Sequence, residues 1–167
     1  MILETKRLIL SKFSVKDAPF FYTLVNDPAW MRFIGNRNVK TIADAEKYLI
    51  DKIIPSYVKH GFGFYVVSSK EDNTPIGMSG LVDRNGLDHI DVGYAFLPQY
   101  RGKGYAYEAT KAVLDYAKNI LKIDPVVAIT NEKNTKSIQL LKRLGLHYDK
   151  LIQLPHDNEK CRLFITK

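Results

Sequence analysis

Residues Asp91–Ala109 read DVGYAFLPQYRGKGYAYEA, and the reading of this stretch decides the fold. It opens as an extended run, breaks at Pro98, passes through Arg101-Gly102-Lys103-Gly104 and continues as a helix. Two glycines one residue apart let a ligand approach the backbone closely, because no Cβ stands in the way. The helix start behind them offers unpaired N–H groups at the positive end of a dipole, which favours an anion such as pyrophosphate. Arg101 and Lys103 add two side-chain charges at the same place. Strand, basic glycine turn and helix start together predict a diphosphate cradle.

Two kinds of cradle are excluded. The GxxxxGK[ST] phosphate loop is absent, since Lys103 is followed by Gly104 rather than a hydroxyl residue. The dinucleotide pattern GxGxxG fails at its third glycine, where Tyr107 stands. Gln99-Tyr100-Arg101-Gly102-Lys103-Gly104 does resemble the Q/R-x-x-G-x-G/A signature of the GNAT N-acetyltransferases. Gly93-Tyr94 before it and Tyr105-Ala106-Tyr107-Glu108-Ala109 after it look most like the RimJ/RimL-like branch, which acetylates ribosomal-protein N-termini. The resemblance extends over nearly the whole chain, beginning with Glu4-Thr5-Lys6-Arg7-Leu8. It implies acetyl-CoA as the acetyl donor, bound at a strand splay by Phe96, Leu97, Arg101, Gly102, Lys103, Gly104, Tyr105 and Ala106.

At 167 residues the chain is expected to form one domain, residues 1–167, with a proper core. No apolar run approaches the ~20 residues that a membrane span needs, so no membrane partner is expected. MILETKRLIL lacks a charged leader followed by a long apolar block, so no secretion signal is expected either. Cys161 stands alone, which excludes an internal disulfide and points to a reducing cytoplasm. The four His residues show no ligand spacing, and no metal is expected. A net charge of +7 favours anionic partners, CoA among them. Direct nucleic-acid binding is not indicated, because no basic-aromatic repeat or zinc-knuckle spacing accompanies the charge. The expected state is a monomer or a homodimer.

Outward from the turn, periodicity predicts a mixed α+β fold. Arg7–Phe13 alternates as a first strand, and Ser14-x-x-Asp17 opens a helix to about Val25. Asn26-Asp27-Pro28 ends that helix, and Trp30–Gly35 follows as a loop rich in large side chains. Thr41 caps a helix with Ile42, Ala45, Leu49 and Ile53 on one stripe, kinked or ended by Pro55. Phe62–Ser69, Pro75–Val82 and His89–Phe96 read as three antiparallel strands leading into the glycine turn. The helix from Gly104 carries Ala106, Ala109, Val113, Ala117 and Ile120 on one face. Pro125–Ile129 is a strand, Lys136–Leu144 a helix, and Tyr148–Leu154 with Arg162–Thr166 a closing hairpin. The order matches the GNAT-like architecture that the resemblance implies, a mostly antiparallel central sheet flanked by helices.

A second constellation lies at Asn131–Ser137, where a strand ends and a helix begins, followed by Leu144-Gly145-Leu146. It resembles the family's N-x-x-S segment, which implies that Asn134 and Ser137 lie against the pantetheine arm. Asn134 reads equally as a helix N-cap. The implied reaction is direct transfer of acetyl to an amine, whose ammonium must first lose a proton, while the carbonyl oxygen needs preorganised donors. Asp91 is the candidate base, with Asp83 and Asp88 as neighbouring rivals. Many relatives carry a Tyr four residues before the glycine of the last motif; Leu141 stands here, which leaves Ser137 or water to serve the leaving thiolate. Trp30, Arg32 and Phe33 read either as a lid on the core or as a wall of the acceptor pocket. The acceptor is expected to be a protein or peptide α-amine, with a small-molecule amine or a non-catalytic CoA- or ribosome-binding module as alternatives.

Overall fold

Chain reversal at Thr5–Arg7 folds β1 (Leu3–Glu4) back on β2 (Leu8–Lys12), and alternation along β2 turns Leu8 and Leu10 into the core. The computed structural model describes residues 1–167. Eight strands form one sheet in the order β1-β2-β3-β4-β5-β6-β8-β7, with β3 Phe64–Ser69, β4 Pro75–Val82, β5 Asp91–Phe96, β6 Val127–Asn131, β7 Leu146–Ile152 and β8 Cys161–Thr166. Every neighbouring pair is antiparallel except β5 and β6. The fold is therefore the mixed, mostly antiparallel α+β architecture expected.

Between β2 and β3 lies a helical layer: α1 (Ala18–Val25), α2 (Pro28–Phe33), α3 (Ile42–Tyr48) and α4 (Pro55–His60). Helix α2 corrects the expected Trp30–Gly35 loop. Pro28 does end α1, but it also supplies the first residue of a new helix, where its missing N–H costs nothing. Asp27 caps that helix by accepting from the N–H groups of Ala29 and Trp30. Pro55 produces the expected irregularity by a specific route. The Leu49–Ile53 turn widens to π geometry and Ile54 donates to the Leu49 carbonyl, so helical backbone runs on into α4.

Helix α5 (Tyr105–Asn119) packs on β4 and β5 through Ala109, Thr110, Val113, Leu114 and Ala117. Ile120 is 67% exposed and leaves the expected stripe, because the helix ends one residue before it and the chain turns away. Helix α6 (Thr135–Arg143) lies over β6 and β7. Gly145 ends it with φ of 94°, a conformation that glycine adopts without strain.

Candidate active site

The glycine turn forms as a bare backbone surface. Gly102 and Gly104 have φ of 75° and 83°, and a Cβ at Gly102 would meet nothing within 4 Å. The first backbone bond of α5 runs from Glu108 N–H to the Gly104 carbonyl. None of the backbone N–H groups from Gly102 through Tyr107 donates to another backbone group of the protein. A row of free donors at the start of a 15-residue helix is an arrangement that favours an anion. The turn is held from a distance: Arg7 donates through Nη1 to the Lys103 carbonyl (3.0 Å) and through Nε to Glu108 (2.7 Å), with its guanidinium 4.3 Å above the Tyr105 ring. Ala106 is half-buried in the first turn.

Arg101 differs from the phosphate ligand expected of it. Its Nη2 donates to Asp27 at 2.6 Å and its Nε to the Phe96 carbonyl at 3.1 Å. The guanidinium thus ties the end of β5 to the N-cap of α2, and its charge is answered by a carboxylate that is 6% exposed.

The strand splay has a simple cause in the register. Strands β5 and β6 pair at Asp91↔Val127 and nowhere further along. Leu97 donates to the Ile76 carbonyl (3.0 Å) in the β4 ladder, so Leu97, Ala95 and Gly93 bond towards β4. Alternation then points the N–H groups of Tyr94 and Phe96 into the gap beside β6. This corrects one expected donor: the Phe96 N–H faces the gap, whereas the Leu97 N–H is consumed by the sheet.

At the other end of the gap lies a cleft of ≈ 950 Å³ that brings Asp91, Tyr94, Asn134 and Ser137 together with Trp30 and Phe33. Asp91 is 1% exposed and accepts from Arg84 Nε at 2.6 Å. Burial pushes its carboxyl up to about 6, against the opposing pull of the Arg84 charge and hydrogen bond. Asn134 caps α6 by accepting from the Ser137 N–H (3.2 Å), so the cap reading holds while the residue also lines the cleft. Tyr94 and Ser137 share a hydroxyl–hydroxyl hydrogen bond of 2.7 Å. Burial pushes the Tyr94 phenol up to about 12 against the pull of that bond, so it stays protonated at neutral pH. Leu141 is buried and apolar. Trp30 is buried and Phe33 half-buried in the wall from α2, and Arg32 lies exposed with its guanidinium 4.8 Å above the Phe33 ring.

Residues 7–147 match the family model described as an acetyltransferase (GNAT) domain. The chain is a GNAT acetyltransferase. A curated relative, the uncharacterized N-acetyltransferase YnaD of Bacillus subtilis (strain 168), is 26% identical over 161 residues, covering 95% of this chain and 91% of its own. The spermidine N(1)-acetyltransferase of Escherichia coli (strain K12) is 31% identical over 71 residues, which cover 40% of this chain and 38% of that one. Among solved structures, an acetyltransferase from Agrobacterium tumefaciens str. C58 superposes with a TM-score of 0.84 at 22% identity, covering 99% of this chain and 93% of that one. The ribosomal-protein-S5-alanine acetyltransferase from Vibrio fischeri gives 0.79 at 18% identity, with 98% and 94% covered.

As a GNAT enzyme the chain is an acetyl-CoA-dependent N-acetyltransferase, and its donor features fit that substrate. The free N–H row at the turn suits a diphosphate, and the gap beside β5 presents backbone donors to an extended arm. Sequence reading alone missed Tyr94, Arg84, Arg7 and Glu108 as members of the site. Tyr94 and Ser137 are far apart in the chain, as are Arg7 and Glu108, and no short-range spacing announces either pair.

Proposed function

We propose that this GNAT enzyme acetylates the N-terminal α-amine of a protein or peptide, as a single cytoplasmic domain of the ribosomal-protein N-terminal acetyltransferase kind. The cleft that joins Asp91, Tyr94 and Ser137 to an aromatic wall carries the reading. Acetyl-CoA supplies the activated acetyl group. The backbone from Gly102 to Ala106, with Lys103 and Tyr105, holds its diphosphate; the Phe96 N–H, Asn134 and Ser137 hold the arm. Asp91 takes the proton that the acceptor ammonium must lose. With its carboxyl near 6 it is ionised at neutral pH yet basic enough to accept. One proton leaves the nitrogen as the new N–C bond forms, and one reaches the sulfur as the C–S bond breaks. Tyr94, steadied by Ser137, supplies the hydrogen bond at that sulfur, in the place of the tyrosine that Leu141 replaces. Trp30 and Phe33 wall the acceptor.

An α-amine titrates near ~8 against ~10.4 for lysine, so a single carboxylate base suits it better. The partial likeness to a spermidine acetyltransferase supports a second reading, a small polyamine acceptor. Initial rates on N-terminally free peptides, their N-blocked lysine-containing forms and spermidine separate the two. Free peptides are expected to be fastest; faster acetylation of spermidine than of every free peptide would establish the polyamine reading instead.

Tyr94→Phe is expected to lower kcat by on the order of 10–100-fold with the KM for acetyl-CoA little changed. Because Tyr94 and Ser137 act as one unit, the Tyr94→Phe/Ser137→Ala double variant should cost about as much as Tyr94→Phe alone. Multiplying single effects in steady-state kinetics would show that the two hydroxyls work separately.

A further inference from the structure

The cleft is electrostatically sided. Its wall from α2 through α4 contributes Arg32, Arg37, Lys52 and His60, and no aspartate or glutamate. None of Arg32, Arg37 and Lys52 has a carboxylate partner, although ion pairs are formed elsewhere by Lys47, Lys70 and Lys111. Every carboxylate of the cleft comes from the other rim: Asp83 from the β4–β5 loop, Asp91 from the first residue of β5, and Asp157 and Glu159 from the β7–β8 loop. On that rim Arg84 is spent on Asp91, which leaves Lys160 and His156 against Asp83, Asp157 and Glu159. No residue of the Arg101–Ala106 turn lines the cleft, so these wall cations are not part of the diphosphate seat. Partly enclosed walls of one sign raise the local concentration of the opposite charge.

We infer that the acceptor is an amine bearing a carboxylate a few bonds away, with its ammonium on the Asp91 side and its carboxylate on the Arg32–Arg37–Lys52 wall. The inference rests on the transferase reading above and names the acceptor's charge. The carboxylate is either an acidic side chain close behind a peptide N-terminus or the α-carboxylate of a free amino acid. A polycation offers the wall only repulsion.

The test compares kcat/KM, from thiol release and product mass, within matched pairs. The peptide arm uses Ala-Glu-Ala-amide, Ala-Gln-Ala-amide and Ala-Lys-Ala-amide; the amino-acid arm uses alanine and alaninamide; spermidine is the cationic control. In at least one arm the carboxylate-bearing member should exceed its neutral partner by roughly five- to ten-fold, the scale of one or two screened ion pairs. The responding arm identifies the source of the carboxylate. The margin should shrink with added salt and vanish in Arg37→Gln/Lys52→Gln, with the KM for acetyl-CoA retained. Equal rates within both pairs, a margin that survives in the double variant, or spermidine as the fastest acceptor would overturn it. In those cases acetyl transfer itself stands. No transfer to any acceptor, with calorimetric acetyl-CoA binding intact, would overturn the transferase reading and this inference together.

Discussion

Asp91→Asn is expected to lower turnover by ~100- to 10,000-fold, the usual worth of a general base, while acetyl-CoA affinity stays near that of the wild type. The reason lies in where Asp91 sits. It opens β5 at the single point where β5 and β6 still pair, lines the cleft, and is shielded from solvent. Burial raises its carboxyl to about 6, so the wild-type kcat/KM should rise with pH through that value as the base ionises. The asparagine variant should lose that limb. Arg84 Nε keeps an acceptor in the amide oxygen, so the variant retains the hydrogen bond but loses the counter-charge of the Arg84 guanidinium, which is itself partly exposed to solvent. Stability provides an independent readout. A carboxyl whose folded value lies above its unfolded value of ~3.9 contributes stability that is full below ~4. That contribution is lost as pH rises through about 6. Wild-type Tm should therefore fall across that window relative to Asp91→Asn. Wild-type turnover in the variant from pH 6 to 9 would make Asp91 structural.

Gly80→Ala is expected to cost about 3 kcal/mol or more, the upper end for overpacking a well-filled site. For a chain of this size that is a Tm loss of roughly 6–12 °C. A Cβ at Gly80 would overlap the Gly63 carbonyl oxygen and stand 2.5 Å from the Phe64 Cα. Both obstacles are backbone, and the Gly63 carbonyl is pinned by the Leu81 N–H at 3.1 Å. The oxygen cannot yield without breaking that bond. Gly80 also faces Gly93 across the β4–β5 ladder, beneath the Phe64 ring that lines the cleft, so acceptor binding should weaken with the fold. Gly102→Ala is the contrast. It meets nothing within 4 Å and carries only the ~1–2 kcal/mol cost of a left-handed backbone. A Tm for Gly80→Ala within a degree of that of Gly102→Ala would show that the β3–β4 seam is looser than its geometry implies.

Much of this was written in local sequence. Pro75–Val82 is β4 to the residue, a short β-rich run bounded by a polar turn on one side and Asp83-Arg84-Asn85-Gly86 on the other. Gly102–Gly104 forms a bare backbone suited to an anion because two closely spaced glycines before a helix leave donors without competitors. Asn134 caps α6 by the three-residue reach that its spacing to Ser137 announces. Each of these depends on interactions a few residues long. Helix α2 was harder to read, since Pro28 signals the end of one helix and the start of another by the same geometry.

What only the tertiary structure decided are pairings across long sequence distances and the direction of each backbone donor. Sheet register selects the Phe96 N–H over that of Leu97 for the gap, because Leu97 falls in the bonded phase of the β4 ladder. Asp27 answers Arg101 and so turns a residue that reads as a phosphate ligand into a brace between the end of β5 and the N-cap of α2. Tyr94 reaches Ser137 across the gap, and burial then holds its proton. Charge in the sequence is a sum; only folding sorts it, placing Arg32, Arg37 and Lys52 on one wall and the carboxylates on the other. Composition and spacing specify which groups a chain owns, but a group's partner and protonation depend on what the fold brings within a few ångströms of it.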